Sequence, residues 1–238
     1  MTNEFGLMHV WTQGDWVTRS VFAILLLMSL ASWIVILIKA LGVMRAKRQA
    51  ARMEGFWHSS DMAEGLAKLG TDHTNPFRHL AIEGREAAAH HRRTQSQLHD
   101  SLDVSDWISR ALQGSIDHTT GRLQSGLAIL ASVGSTAPFV GLFGTVWGIY
   151  HALMKISTAG QASIDQVAGP IGEALIMTAL GLAVAIPAVL GYNALVRGNK
   201  HILAKLGRFA HDLHALHVTG ARITAGAGDT NVVAMKKA

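Results

Sequence analysis

One acid stands where the surrounding sequence carries no charge. Glu173 has uncharged neighbours from Gln166 to Gly172 on one side and from Ala174 to Val196 on the other. A carboxylate at membrane depth is costly unless it is hydrated, paired or protonated, and such residues mark ion and proton paths. An acid in apolar surroundings exchanges a proton instead of holding a fixed charge, which is what a proton path requires. Two readings compete with that one. Glu173 could sit at the outer interface near Asp165 with its head in water, or it could pair with Arg19 or Lys155.

Two hydroxyls are the next candidates. Thr145 lies on a glycine-rich face, and Thr178 follows Glu173 by five residues. On a helix that spacing is about 140° of rotation, so Thr178 does not stack below Glu173. A path using both needs Thr145 from a neighbouring helix, water, or a partner subunit. Threonines in spans also bond their own backbone, and spacing alone does not choose between these roles.

Other tempting groups point elsewhere. His211, His214 and His217 drift round a helix without a carboxylate partner, so no metal site is expected, since closed sites need converging ligands. His90-His91 beside Arg92-Arg93 reads as a basic patch facing water or lipid. Gly141 to Gly148 lacks the Gly-Lys-Ser/Thr of a phosphate loop, and neither a Ser/His/Asp set nor an HExxH pattern is present. The chain has no Cys, which excludes thiol catalysis, Cys-based zinc sites and disulfides. The expectation is a protein with no cofactor and no enzymatic activity.

The elements that must position Glu173 are written in the charge distribution. Of the 238 residues, 49% are hydrophobic and only 16% charged, with mean hydropathy +0.25. Soluble domains carry about a quarter charged residues. Ser20 to Ile38, Leu123 to Met154 and Ala174 to Val196 are runs of 19, 32 and 23 residues without Lys, Arg, Asp or Glu. A spanning helix needs about 20 apolar residues, so all three predict membrane spans. The first is read as a retained anchor and not a cleaved leader. Met1 to Thr18 has no Lys or Arg, and Lys39, Arg45, Lys47 and Arg48 follow the span at once.

Basic residues beside a span stay cytoplasmic. Only Arg19 precedes the first span, residues 39–126 hold 12 Lys and Arg, the link before the third span has Lys155 alone, and seven follow it. The reading is an all-α membrane protein with three spans extended into the cytoplasm as a long helical bundle. Its N-terminal segment (1–15) is periplasmic, with spans at 16–39, 127–154 and 166–196. The short link (155–165) is also periplasmic. Residues 40–126 and an amphipathic helix at 197–218 are cytoplasmic, followed by a flexible Gly-Ala-rich tail at 219–238. The pI near 9.8 fits this topology and contact with anionic lipid. Nucleic acid is not expected, because no aromatic–basic interleaving accompanies the charge.

Between Lys39 and Arg122 the one obvious breaker is Thr71-Asp72-His73-Thr74-Asn75-Pro76. Helices are therefore expected over Ala40–Lys68 and Pro76–Leu102, with a third starting near Asp103 and running on into the second span. Beyond Val196, the residues Ile202, Leu203, Leu206, Phe209, Ala210, Leu213 and Leu216 recur at helical spacing. Trp11, Trp16 and Trp33 suit interface anchoring, and Pro138 and Pro187 predict kinks. In the second span Gly134, Ala137, Gly141, Gly144 and Gly148 recur at steps of three or four, and in the third Thr178, Gly181, Ala185 and Ala188 do likewise. Small stripes let helices approach closely in lipid. A tight hairpin or close subunit packing is expected from them.

These residues also carry a resemblance. Ala137-Pro138-Phe139-Val140-Gly141-Leu142-Phe143-Gly144-Thr145-Val146-Trp147-Gly148-Ile149 resembles the second-span signature of the ExbB/TolQ/MotA family of proton-channel subunits. Gly169-Pro170-Ile171-Gly172-Glu173-Ala174-Leu175, with Thr178 to Ala188 after it, is similar to the family's third span. The match is close over 130–200, and the three-span layout favours the ExbB and TolQ branches over four-span MotA. Ser163-Ile164-Asp165-Gln166-Val167 leans it toward the ExbB branch. The resemblance implies a pentameric ring around the single spans of an ExbD-type partner, with proton flow energising a TonB-type protein for outer-membrane import. It implies Glu173 as the membrane glutamate, with Thr145 and Thr178 lining the pore. A TolQ-like envelope-integrity motor and a passive helical scaffold are the alternatives.

Overall fold

The computed structural model describes residues 15–72, 74–93, 104–159 and 164–220, with a few side chains within those helices, Glu173 among them, left out. The N-terminal segment, part of the link, and the tail beyond Gly220 lie outside the described residues, as does Trp11. The described residues are predominantly helical, and no strand occurs among them. The helices are α1 (Trp16–Ala51), α2 (Met53–Trp57), α3 (Met62–Lys68), α4 (Pro76–Arg93), α5 (Val104–Gln124), α6 (Leu127–Ala159) and α7 (Ile164–Thr219). Three helical stretches, Trp16–Trp57, Val104–Met154 and Ala174–Thr219, are long and apolar enough to cross a membrane. Each contains one of the charge-free runs. At 56 residues, α7 is about 84 Å long, against a hydrocarbon core of about 30 Å.

The chain divides into two compact units. The first comprises residues up to Lys39 and Gly126–Leu195. It holds the first part of α1, all of α6 and most of α7. Its core joins Val17, Val21 and Leu25 of α1 to Val133 and Ala137 of α6 and to Met177, Ala185 and Ala188 of α7. These residues are small or slender, so the helices sit close. The bulky residues point the other way: Leu27, Ile34 and Ile38 of α1, Phe139 and Val146 of α6, and Leu190 of α7 are all exposed. Lipid is the medium in which such a surface is stable.

The second unit comprises Ala40–Ser125 and the chain from Val196 onward. It has the core of a water-soluble bundle. Phe56, Leu69, Phe77, Leu80, Ile108, Leu206, Phe209 and Leu213 are buried together. Phe209 stands edge-on to Phe56, Trp57 and Phe77 at centroid distances of 5.3, 5.6 and 5.9 Å, an arrangement aromatic rings prefer. The loop before α4 follows from Asn75-Pro76. The Asn75 side chain accepts from the Phe77 amide at 3.0 Å and donates to the Leu69 carbonyl at 2.8 Å, while Pro76 occupies the first helical position.

Two expectations are corrected here. Ala40–Lys68 is not one helix: α1 ends at Ala51, α2 is a short piece, and His58-Ser59-Ser60-Asp61 separates it from α3. The cause is a capping box. Asp61 accepts from the Glu64 amide at 2.7 Å, and Glu64 reaches back to the Ser60 amide at 2.8 Å. Nor does the helix begun near Asp103 run straight into the second span. It stops at Gln124, and α6 restarts after Gly126, whose φ of +80° belongs to the left-handed region that glycine tolerates. The carbonyl of Leu123, freed at that stop, accepts from the Asn199 side chain at 2.9 Å.

Candidate functional site

The site is built on the antiparallel pair α6 and α7 within the first unit. Glycines set the distance between them. A Cβ added to Gly141 would stand 2.6 Å from the Met177 carbonyl oxygen and 3.1 Å from the Gly181 Cα. One added to Gly181 would meet the Ala137 carbonyl oxygen at 2.7 Å. Further along, Gly148 would meet the Ala174 Cβ at 2.8 Å, and Gly134 a Val189 methyl at 2.5 Å. Gly144 is flanked by Met177 and by Val21 of α1, both at 3.1 Å. The backbones of α6 and α7 therefore touch where any larger residue would push them apart.

That closeness brings the two threonines together. Thr145 is buried, and its hydroxyl is hydrogen-bonded to the hydroxyl of Thr178 across the interface. It also lies 3.1 Å from the carbonyl of Gly141 on its own helix and 3.1 Å from the carbonyl of Ala174 on α7. A hydroxyl has one hydrogen to give and two lone pairs to receive with. Thr145 donating to a carbonyl while accepting from Thr178 satisfies both side chains. Thr145 of α6 is thus bonded to both Thr178 and the Ala174 carbonyl of α7. Glu173 is the residue immediately before Ala174, so its backbone is at this level of α7; its side chain lies outside the described residues.

Around this pair the first unit holds polar groups that charge counting passes over. Ser32 is buried in α1 and bonds the Met28 carbonyl of its own helix. Trp147 and His151 lie on one face of α6 with ring centroids 4.7 Å apart. His151 faces Asp15, just before α1, at 3.4 Å. The signal for His151 was present: it is the one histidine in the run from Leu123 to Met154. Of the proposed anchors, Trp16 and Trp33 are exposed.

Several histidines of the second unit have local partners. His214 Nε2 is 3.0 Å from the Ser105 hydroxyl. His217 packs beside Gly84. His90 stacks on Trp107 with centroids 5.8 Å apart, while the side chains of His91, Arg92 and Arg93 lie outside the described residues.

A family model described as the MotA/TolQ/ExbB proton channel family matches residues 81–207, more than half of the chain. The chain belongs to this family. The biopolymer transport protein ExbB of Xanthomonas campestris pv. campestris (strain B100) is 43% identical over 232 residues, covering 93% of this chain and 92% of its own. ExbB of Neisseria meningitidis serogroup A is 41% identical over 206 residues, covering 86% and 94%. The Tol-Pal system protein TolQ of Pseudomonas aeruginosa is 34% identical over 205 residues, covering 84% and 87%. The MotA/TolQ/ExbB match spans α6 and the glycine-lined part of α7, so the threonine pair lies inside it. With three spans and these relatives, the chain is a multi-pass inner-membrane protein of the ExbB kind.

Proposed function

We propose that this chain is a proton-conducting motor subunit, and that Glu173, Thr145 and Thr178 carry the proton through its membrane part. One observation supports this above the others: a buried and a half-buried hydroxyl bonded across the α6–α7 interface, against the carbonyl of the residue that follows Glu173. Hydroxyls linked in series, next to a carboxyl that exchanges a proton, provide successive donors and acceptors where lipid provides none. No bond-making on a substrate is assigned to it.

The N-terminus lies in the periplasm and the C-terminus in the cytoplasm, with the second unit on the cytoplasmic side. The reason is the concentration of Lys and Arg in residues 39–126 and after Val196. The same residues meet anionic lipid at the inner leaflet. The subunits form a homopentamer around an ExbD-type single-span partner, whose acidic residue approaches Glu173 from within the ring. The complex energises a TonB-type protein for import of siderophores and other scarce nutrients through the outer membrane. Each proton delivers about 2.3 kcal/mol per 100 mV, so sustained work takes several.

Glu173→Gln tests this reading. The amide keeps the size and cannot ionise, so the complex assembles and siderophore-dependent growth is lost. Normal growth of that variant would contradict the proton path. Purification with the natural partner separates the ExbB-like role from a TolQ-like one. Recovery of a TolR-type partner alone would move the chain to envelope maintenance.

A further inference from the structure

We propose that His151 is the proton-collecting residue of this channel, taking protons from the aqueous side and passing them inward to the level of Glu173. The inference rests on the proton-channel reading and the orientation given above.

The two ring nitrogens of His151 face different surroundings. Nε2 lies 3.4 Å from a carboxylate oxygen of Asp15, and the two side chains are 37% and 45% exposed, so this edge of the ring is open. Nδ1 is buried and has no hydrogen-bond partner among the described residues. The indole Nε1 of Trp147, one turn away on the same face, is also buried without a partner among them. A buried polar atom left unmade costs about 1–3 kcal/mol. Two such atoms side by side mark a place where water completes the bonding. Histidine is the side chain that changes charge near neutral pH, and here it joins an open edge to an enclosed one.

The level along the bundle is also suitable. Gly148 of α6 packs against Ala174 of the antiparallel α7. His151 lies three residues beyond Gly148, about 4.5 Å along the axis, and Glu173 lies one residue from Ala174 in the same direction, about 1.5 Å. Their backbones are therefore within about 3 Å in height. The groups facing His151 are Asp15 from the segment before α1 and Trp147 and Tyr150 from α6 itself. Arg19 follows one turn into α1, its amide donating to the Asp15 carbonyl at 3.0 Å.

The transfer balances. A proton arrives at Nε2 of a neutral ring that holds its hydrogen on Nδ1, giving the imidazolium, which Asp15 stabilises. The Nδ1 hydrogen then leaves to water, and the ring keeps the hydrogen on Nε2. Exchange back to the Nδ1 form readies it for the next proton. Asp15 acts through His151 and is a positioning residue.

The test uses the complex with its natural partners, purified from its own bacterium and reconstituted in vesicles containing a pH-sensitive dye, with outer pH varied from about 5 to about 8. The native complex should show flux that falls as outer pH rises through a midpoint. His151→Asn should lower flux at neutral pH about tenfold or more and abolish that midpoint. Asp15→Asn should keep the assembly intact and lower flux at neutral pH, because Nε2 of the ring has lost the carboxylate it faces. Unchanged flux and profile in His151→Asn would overturn the proposal, as would unchanged flux in Asp15→Asn. The second holds even if the histidine variant does not assemble. Glu173→Gln separates the levels of failure. Native flux in that variant would defeat the proton-channel reading itself, whereas blocked flux beside a native His151→Asn profile would defeat the role of His151 alone.

Discussion

The threonine pair makes a quantitative prediction. Valine has the branched shape of threonine without the hydroxyl, so Thr145→Val and Thr178→Val preserve the α6–α7 packing and remove only hydrogen bonds. Thr145 is 7% exposed, and its loss removes the partner of the Thr178 hydroxyl across the interface. Orphaning a buried partner costs about 1–3 kcal/mol. Hydroxyl bonds between spans average about 0.6 and reach about 1.7 kcal/mol, because the unfolded chain in the membrane also finds partners. Each single variant should therefore lose about 1–2 kcal/mol. The double variant, which leaves no hydroxyl stranded, should lose less than the sum by about 0.6–1.7 kcal/mol. The assay is unfolding of the reconstituted complex by SDS in mixed micelles for all four members of the cycle. Additivity within about 0.3–0.5 kcal/mol would refute the bond across the interface and the path drawn through it.

Other consequences are equally direct. Gly141→Val places side-chain atoms where the Met177 carbonyl and Gly181 Cα already stand, so the α6–α7 pair separates; overpacking of about 1–3 kcal/mol should appear as loss of assembled complex in size-exclusion chromatography. Phe209→Ala empties the centre of the second unit, costing about 3–5 kcal/mol and lowering its thermal midpoint, while proton flux per surviving complex stays native. Glu64 has its carboxyl held at about 2, below the ordinary 4.5, by the Lys68 ammonium first and by the Ser60 hydroxyl and amide next. A carboxyl lowered in this way supports the fold above its ordinary value, and that support is lost as pH falls through about 2. A titration of labelled Glu64 should report the low midpoint, and Lys68→Met should return it toward the ordinary value.

The spans were legible because composition alone reveals them: three charge-free runs, with basic residues massed beside two of them. The glycine stripe was visible too, since Gly141, Gly144 and Gly148 recur within one span. What one helix could not reveal was the register between two. Whether Thr145 meets Thr178 depends on which residues of α7 stand opposite α6, a matter decided by the contacts of Gly141 with Gly181 and of Gly148 with Ala174. The break before α3 had a signal in Ser60-Asp61 and Glu64, hidden within a stretch that otherwise favours helix. A lone Gly126 in a helical pattern gave no warning of its positive φ. His151 escaped notice because an uncharged imidazole does not interrupt an apolar run, although it can gain a charge where the run meets water.

The central claim is that protons pass through this chain by way of Glu173 and the threonine pair. The most direct measurement is proton flux into vesicles holding the purified complex with its partner, under an imposed potential, for the native chain, Glu173→Gln and Thr145→Val. The account predicts flux in the native complex, its abolition in Glu173→Gln, and its reduction in Thr145→Val, with assembly unchanged in all three. Native flux in Glu173→Gln would contradict it.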